Sequence, residues 1–329
     1  MAQPSLGEVH RQMPNPDDLK NLVRYKGPSS DQTVLKQAST NSELQKAVEA
    51  GDLNMARSLL RYGAAKRCVN VNAPLYPKRE RLLHLAARKG SRDLCILLLE
   101  ARAEIDAEEI SDGKQPLHEA CKHGHLDICE LLLDRKARIE EANFTGFKPL
   151  HWAASSGHVD ICDMLLDRKA ILHSASGDTW EAIHHAAAHG HAEVVRLLCE
   201  RGAKPDAETG TGQPAVRLAC LSDHTKVVKT LLDFGALFCM EDFSAEGVLR
   251  RCQGTEIEDL VREVGRLRFE LDEAEEMSDI GHADDAAALF AGVYAAFCSL
   301  GMRVSAASVR RDAARLQIDL PDLEPQDQA

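Results

Sequence analysis

Positive charge is in short supply in this chain of 329 residues: 40 Lys and Arg stand against 52 Asp and Glu, a formal net charge of −12. Phosphate backbones need a basic face, so nucleic acid is excluded as the main ligand, and a basic or neutral protein surface is easier to accommodate. Catalytic signatures are missing as well. No Gly-rich loop of the Gly-x-x-x-x-Gly-Lys-Ser/Thr kind occurs to cradle a phosphate, and no His-Glu-x-x-His pair occurs to hold a catalytic zinc. The opening Met-Ala-Gln-Pro-Ser-Leu-Gly-Glu has no apolar signal core and no glycine at position 2, so neither secretion nor myristoylation is expected. The longest uncharged run, Ala286 to Met302, is short for a membrane span and rich in Ala, Gly and Ser, so it reads as a buried helix and only weakly as a tail anchor. Aromatic residues make up only 4% of the chain, and two of them are tryptophans.

What is present is a period. Leu83-His84-Leu-Ala-Ala-Arg-Lys-Gly90 returns as Leu117-His118-Glu-Ala-Cys-Lys-His-Gly124, Leu150-His151-Trp-Ala-Ala-Ser-Ser-Gly157 and Ile183-His184-His-Ala-Ala-Ala-His-Gly190. A weaker fifth copy is Val216-Arg217-Leu-Ala-Cys-Leu-Ser-Asp223, and successive copies start 34, 33, 33 and 33 residues apart. Such self-similarity marks a stacked solenoid, in which each unit buries its apolar face against its neighbours and the stack as a whole presents a binding surface.

The pattern resembles the ankyrin repeat: hairpin turn, Thr-Pro-Leu-His helix, Gly-His turn and second helix. Its best copies are Gly113-Lys-Gln-Pro116-Leu117-His118 and Gly146-Phe-Lys-Pro149-Leu150-His151, followed by Gly124-His125-Leu-Asp-Ile-Cys-Glu-Leu-Leu-Leu and Gly157-His158-Val-Asp-Ile-Cys-Asp-Met-Leu-Leu. Ala47 to Ala64 fits a first repeat and Asp242 to Leu267 a truncated last one, while the longer step from Gly51 to Gly90 implies a finger loop inserted near Val69 to Arg79. The implied fold is all-α: a helix-turn-helix solenoid with hairpin fingers, plus a C-terminal helical segment. The expected organisation is a polar, flexible N-terminal arm over 1–40, ankyrin repeats over 41–265, C-terminal helices over 266–320 and a disordered tail over 321–329.

The departures from the family pattern carry expectations of their own. The Thr that would bond the motif His is replaced by Arg81, Gln115, Lys148, Glu181 and Pro214, so the histidines must lean on backbone partners. The left-handed turn after each second helix holds Gly63, Gly202 and Gly235, but also Arg102, Lys136 and Lys169, where a side chain is strained. Of the ten cysteines, Cys95, Cys129 and Cys162 share one slot of successive second helices, and Cys121 and Cys220 replace an Ala of first helices. Helices pack roughly 8 to 10 Å apart, too far for bridging, so these thiols read as small apolar side chains in a reducing compartment, the cytoplasm or else the nucleus.

The resemblance implies that partners lie in a concave groove lined by the fingers and first helices. The slot after the turn Gly holds Lys114, Phe147, Trp180 and Gln213; the slot after the motif His holds Leu85, Glu119, Trp152, His185 and Leu218. Phe147, Trp152 and Trp180 thus converge across two repeats, and large rigid aromatics are the usual anchors of a recognition surface. The bland alternative is that the rings pack on one another. Acidic Glu108, Glu109, Asp112 and Glu119 would add attraction for a basic partner. His185 and His189 share a helix face and could hold zinc only with a third ligand, which is lacking; Cys121 near His118 fills a buried slot; and Leu300 to Asp319 lacks the ligands of a calcium loop. No cofactor and no metal are therefore expected. The expected function is that of a non-catalytic protein-binding adaptor or scaffold. The alternatives are a regulatory or structural subunit docking through its C-terminal helices, or, much less favoured, a metal-dependent enzyme built on His185 and His189.

Overall fold

Helices of seven to nine residues, as the repeat pattern requires, are too short to persist alone and exist here through mutual packing. The computed structural model describes residues 30–66, 69–75, 80–236, 256–279, 282–316 and 318–321. Helices α1 (Ser30–Ala50) and α2 (Leu53–Lys66) form the first pair. Inner helices α3 (Leu82–Lys89), α5 (Pro116–His123), α7 (Pro149–Ser155), α9 (Ala182–Ala188) and α11 (Ala215–Leu221) then alternate with outer helices α4 (Arg92–Glu100), α6 (Leu126–Asp134), α8 (Val159–Asp167), α10 (Ala192–Glu200) and α12 (Thr225–Asp233). Each inner helix packs on the next inner helix, on its own outer helix, and on little else.

The core repeats as the sequence does. Leu98, Leu132, Leu165, Leu198 and Leu231 are fully buried at one slot of the outer helices, and Ala86, Ala120, Ala153, Ala186 and Ala219 at one slot of the inner ones, where a small side chain lets the helices close. Cys95, Cys129 and Cys162 are fully buried in the slot that Val195 and Val228 fill in later repeats. Burial pushes the Cys95 and Cys162 thiols up to about 12, so they act as apolar side chains. The free thiols of Cys121 and Cys129, from one helix pair, meet at 3.6 Å, a contact that helix spacing alone did not suggest.

Two ladders of histidines stitch repeat to repeat. The Nδ1 atoms of His84, His118, His151 and His184 accept the N–H groups of Arg81, Gln115, Lys148 and Glu181 at 2.9 to 3.2 Å. Their Nε2 atoms donate to the carbonyls of Lys114, Glu141, Ser174 and Ala207 in the following finger at 2.7 to 3.0 Å. The backbone thus supplies what the absent Thr would have given. In the fifth repeat the slot holds Pro214, which has no N–H to offer, and the histidine is replaced by Arg217. The second ladder runs backward: Nε2 of His125, His158, His191 and His224 donates to the carbonyls of Arg88, Lys122, Ser155 and Ala188 in the preceding repeat.

Arg102, Lys136 and Lys169 do take the left-handed conformation, with φ of 65°, 72° and 71°. Gly63 does not: it lies inside α2, where a Cβ would strike Val69, so its requirement is space for that neighbour. Lys136→Gly is expected to stabilise the array by about 1 kcal/mol by relieving backbone strain, read as a raised melting temperature. A lowered melting temperature would contradict the turn geometry.

Several boundaries move. Helix α1 begins inside the stretch read as a polar arm, and the boundary at 265 falls within α13 (Glu256–Asp279), because its apolar stripe runs unbroken through Leu271. From residue 256 the supposed last repeat is this single long helix; its earlier part, the short helix suggested near Leu19 to Tyr25, and residues 322–329 lie outside the described residues. The inserted finger is closed by the Leu75 N–H donating to the Glu80 carbonyl at 2.7 Å; residues 76–79 also lie outside them.

Ile257, Val261, Val264 and Leu267 are buried on α13, which packs on α12 and on α14 (Ala283–Ser299); α15 (Arg303–Arg315) completes the C-terminal layer. The uncharged run is therefore a helix with one buried face, carrying Phe290, Val293, Tyr294 and Phe297, and among the described residues no helix is long and apolar enough to cross a membrane. Two side chains lock this layer to the last repeat. Arg268 donates to the Leu232 and Ala236 carbonyls at 2.7 and 2.8 Å, at the negative end of α12, while Ser305 donates its N–H and hydroxyl to Asp233. Arg268→Ala is expected to cost about 2 kcal/mol, the loss of charge-assisted bonds to buried carbonyls. Amide exchange should then quicken in α12 to α15 and not in α3 to α8; uniform protection would show that the bonds contribute little.

Candidate docking surface

Each finger is a short hairpin closed by one backbone bond: Glu109 N–H to Lys114 O, Asn143 to Phe147, Ser176 to Trp180 and Thr209 to Gln213, at 2.8 to 3.0 Å. The first of these spans one residue more than the others, which accounts for the single 34-residue step. Fingers also pair with each other, Phe144 N–H donating to Asp112 O and Gly177 N–H to Thr145 O. Lys114, Phe147, Trp180 and Gln213 therefore stand at equivalent points along one edge.

On that edge the rings gather. Phe147 lies 5.1 Å from Trp152 and 4.5 Å from His185, and Trp180 lies 5.2 Å from His185, centroid to centroid. His185 also sits 5.5 Å from His151, and its Nε2 is 3.2 Å from the Ser176 hydroxyl. Burial, with the neighbouring His151, His189 and His184 adding to it, lowers the His185 pKa to about 3, so the ring is neutral. Trp152 is flanked by two cations, Lys114 Nζ at 5.1 Å and Lys122 Nζ at 4.8 Å from its centroid. Fingers, short inner helices and outer helices in strict succession form one repeating unit, and a sequence model of ankyrin repeats matches residues 83–176 and 169–242. Residues 83–242 of the chain are ankyrin repeats. No curated protein matches it in a sequence search. Ankyrin repeats generally mediate protein–protein contacts and are typically non-catalytic.

Within the ankyrin array, Phe147, Trp152, Trp180 and His185 do share one cluster, but they are not equally accessible. The three large rings are half-buried, Phe147 against Trp152 and both Phe147 and Trp180 against His185, which is itself 5% exposed. Glu119 is likewise enclosed, at 4% exposure, between Lys114 and His123 at 3.7 Å and Arg88 at 4.0 Å. His185 and Glu119 thus support the surface from below and do not form it. Leu85 and Leu218, read as groove-facing, are also buried. Lys114 joins the cluster through Trp152, whereas Gln213 stands on the next finger, its N–H donating to Thr209 Oγ1.

The acids expected to attract a basic partner are mostly spent inside the protein. Glu109 is buried and accepts the Ser111 hydroxyl, and Asp112 pairs with Lys114, leaving only Glu108 exposed. Lys122 stands in neither of the two groove slots that the repeat pattern marks, after the turn Gly and after the motif His. The residue three further on lies one helical turn above it and shares its face. His189 bonds the His185 backbone carbonyl through Nδ1, and among the described residues no group of three His, Cys, Asp or Glu side chains could hold a metal ion.

Because Trp152 and Trp180 also pack against their neighbours, removing either cannot be neutral for folding. Its Ala variant is expected to lose on the order of 1 to 2 kcal/mol, which denaturant titration would read directly.

Proposed function

We propose that this protein is a non-catalytic adaptor, holding a partner protein or peptide in the concave groove of its ankyrin array in the cytoplasm or another reducing compartment. One observation carries the reading: both tryptophans of an aromatic-poor chain remain partly exposed, with Phe147, on the inner edge of two consecutive repeats. A stack of this kind presents its anchors without an ordering cost on binding. The free thiols among the described cysteines suit reducing surroundings.

Affinity capture from the native cell tests the groove, with wild type, Trp152→Ala and Trp180→Ala compared well below their melting temperatures. Partners held by the wild type and lost from both variants support it; partners retained by both remove the groove from the account. One feature favours the alternative docking through the C-terminal helices: Phe269 on α13 is 70% exposed, although the same helix caps the array. Phe269→Glu leaves the cap's buried face intact. Partners lost from this variant, and kept by both tryptophan variants, would move the contact to that helix.

A further inference from the structure

We propose that the occupant of the groove is an extended peptide segment bearing a carboxylate beside apolar side chains, with the carboxylate on Lys122 and the apolar part along Trp152, Trp180 and Leu221. The proposal rests on the groove reading above and adds the charge and polarity of the ligand.

The charge comes from what is already neutralised. Along the inner helices one slot, four residues after each motif histidine position, is occupied in turn by Arg88, Lys122, Ser155, Ala188 and Leu221. Arg88 is committed to Glu80, which it grips with both terminal nitrogens. Glu119, Asp112 and Glu109 are taken up by Lys114, Arg88, His123 and Ser111, and Glu140 by Lys148 and the Ile171 N–H. Lys122 differs. Its ammonium rests over the Trp152 ring, and among the described residues it has no acidic side chain paired with it. A cation on a half-exposed aromatic face, beside acids that are already satisfied, is complementary to an anionic group on a ligand. The formal charge of −12 opposes long-range attraction of such a ligand, so recognition has to be local.

The remaining slots set the direction. Beyond Lys122, Ser155 and Ala188 keep the floor low, and Leu221, three repeats on from Lys122, is a 38%-exposed apolar residue. With neighbouring helices roughly 8 to 10 Å apart, the path from Lys122 to Leu221 covers about 30 Å, the reach of about nine extended residues. The ligand would therefore read acid first and apolar afterwards along this line.

The test uses a display library of random 12-residue peptides selected on the full-length wild type, Lys122→Glu and Trp152→Ala proteins, each shown by circular dichroism to be folded. Wild type is expected to enrich peptides with Asp or Glu close to Leu, Phe or Trp, and Lys122→Glu to replace that acid by Lys or Arg. In the best wild-type peptide, changing the acid to its amide should weaken binding to wild type about tenfold, as expected for one half-exposed charge pair, and leave binding to Lys122→Ala unchanged. Enriched peptides without an acid, or an amide substitution equally costly on Lys122→Ala, would overturn the charge assignment while leaving the groove standing. Selection that enriches nothing, or enriches the same peptides on Trp152→Ala, would overturn the groove reading itself, and this proposal with it.

Discussion

Gly124→Ala is expected to cost the array about 3 kcal/mol, several times what adding one methyl group to a surface turn would suggest. Two effects coincide there. The residue sits at φ 81°, where any side chain is strained by about 1 kcal/mol. A Cβ on it would also stand 2.6 Å from Cε1 of His158, whose Nε2 donates to the Lys122 carbonyl across the repeat boundary. The ring has to move, and losing a half-buried inter-repeat bond adds about 2 kcal/mol.

Gly202→Ala provides the control: φ is 100°, but a Cβ would meet nothing within 4 Å, so only the strain of about 1 kcal/mol remains. Guanidinium unfolding followed by far-ultraviolet circular dichroism should separate the two variants. Equal losses would remove the ring contact from the explanation. In a Gly124→Ala/His158→Ala double variant the obstructing ring is gone, so the combined loss should fall short of the sum of the single losses. The same arrangement recurs at Gly90 with His125, Gly157 with His191 and Gly190 with His224, so the effect should recur at each.

That geometry shows which parts of the fold were readable from residues alone. Repeat length, helix order and the leucine and alanine slots follow from spacing, because a solenoid writes the same local contacts into every unit. The glycine of each Gly-His turn was legible as a turn residue, but not as the floor beneath the next repeat's histidine, since that contact joins residues 34 or 35 positions apart. The end of the array was harder. The apolar stripe of α13 reads equally well as a truncated repeat or as a capping helix, and only Arg268 and Ser305, bound to the end of α12, distinguish the two. In the groove, the convergence of Phe147, Trp152 and Trp180 was readable, while the burial of Glu119 and His185 was not. Whether a slot is open depends on how large its neighbours are, and the rings of Phe147, Trp180 and His151 around His185 close that position.

Acidification is expected to loosen the array well before its carboxylates titrate. His84, His118, His151 and His184 are neutral in the folded protein, because each accepts a backbone N–H at Nδ1 and a proton there would meet another donor. Burial lowers all four pKa values, partly offset by bonds to the carbonyls of Lys114, Glu141, Ser174 and Ala207. The charges facing them are mixed: Glu80 and Glu119 toward His84, Asp112 and Lys114 toward His118, Lys148, Glu140 and Glu181 toward His151, and Glu181 toward His184. His118 falls to about 4 and His185 to about 3. A depressed folded-state value means that the unfolded chain takes up protons first. The stability these rings contribute is present in full above the unfolded value of about 6.5, and is lost as pH falls through that value toward the folded ones. For His118 alone the loss approaches about 3 kcal/mol by pH 4. Denaturant midpoints should therefore be level between pH 8 and 7 and fall steeply from 6.5 to 5, where ordinary carboxylates remain ionised. His118→Asn, which keeps an acceptor but does not titrate, should be less stable at pH 7.5 and show a shallower fall with pH. A midpoint that stays level to pH 5 in the wild type, or an unchanged slope in the variant, would mean that the histidine ladder does not govern acid stability.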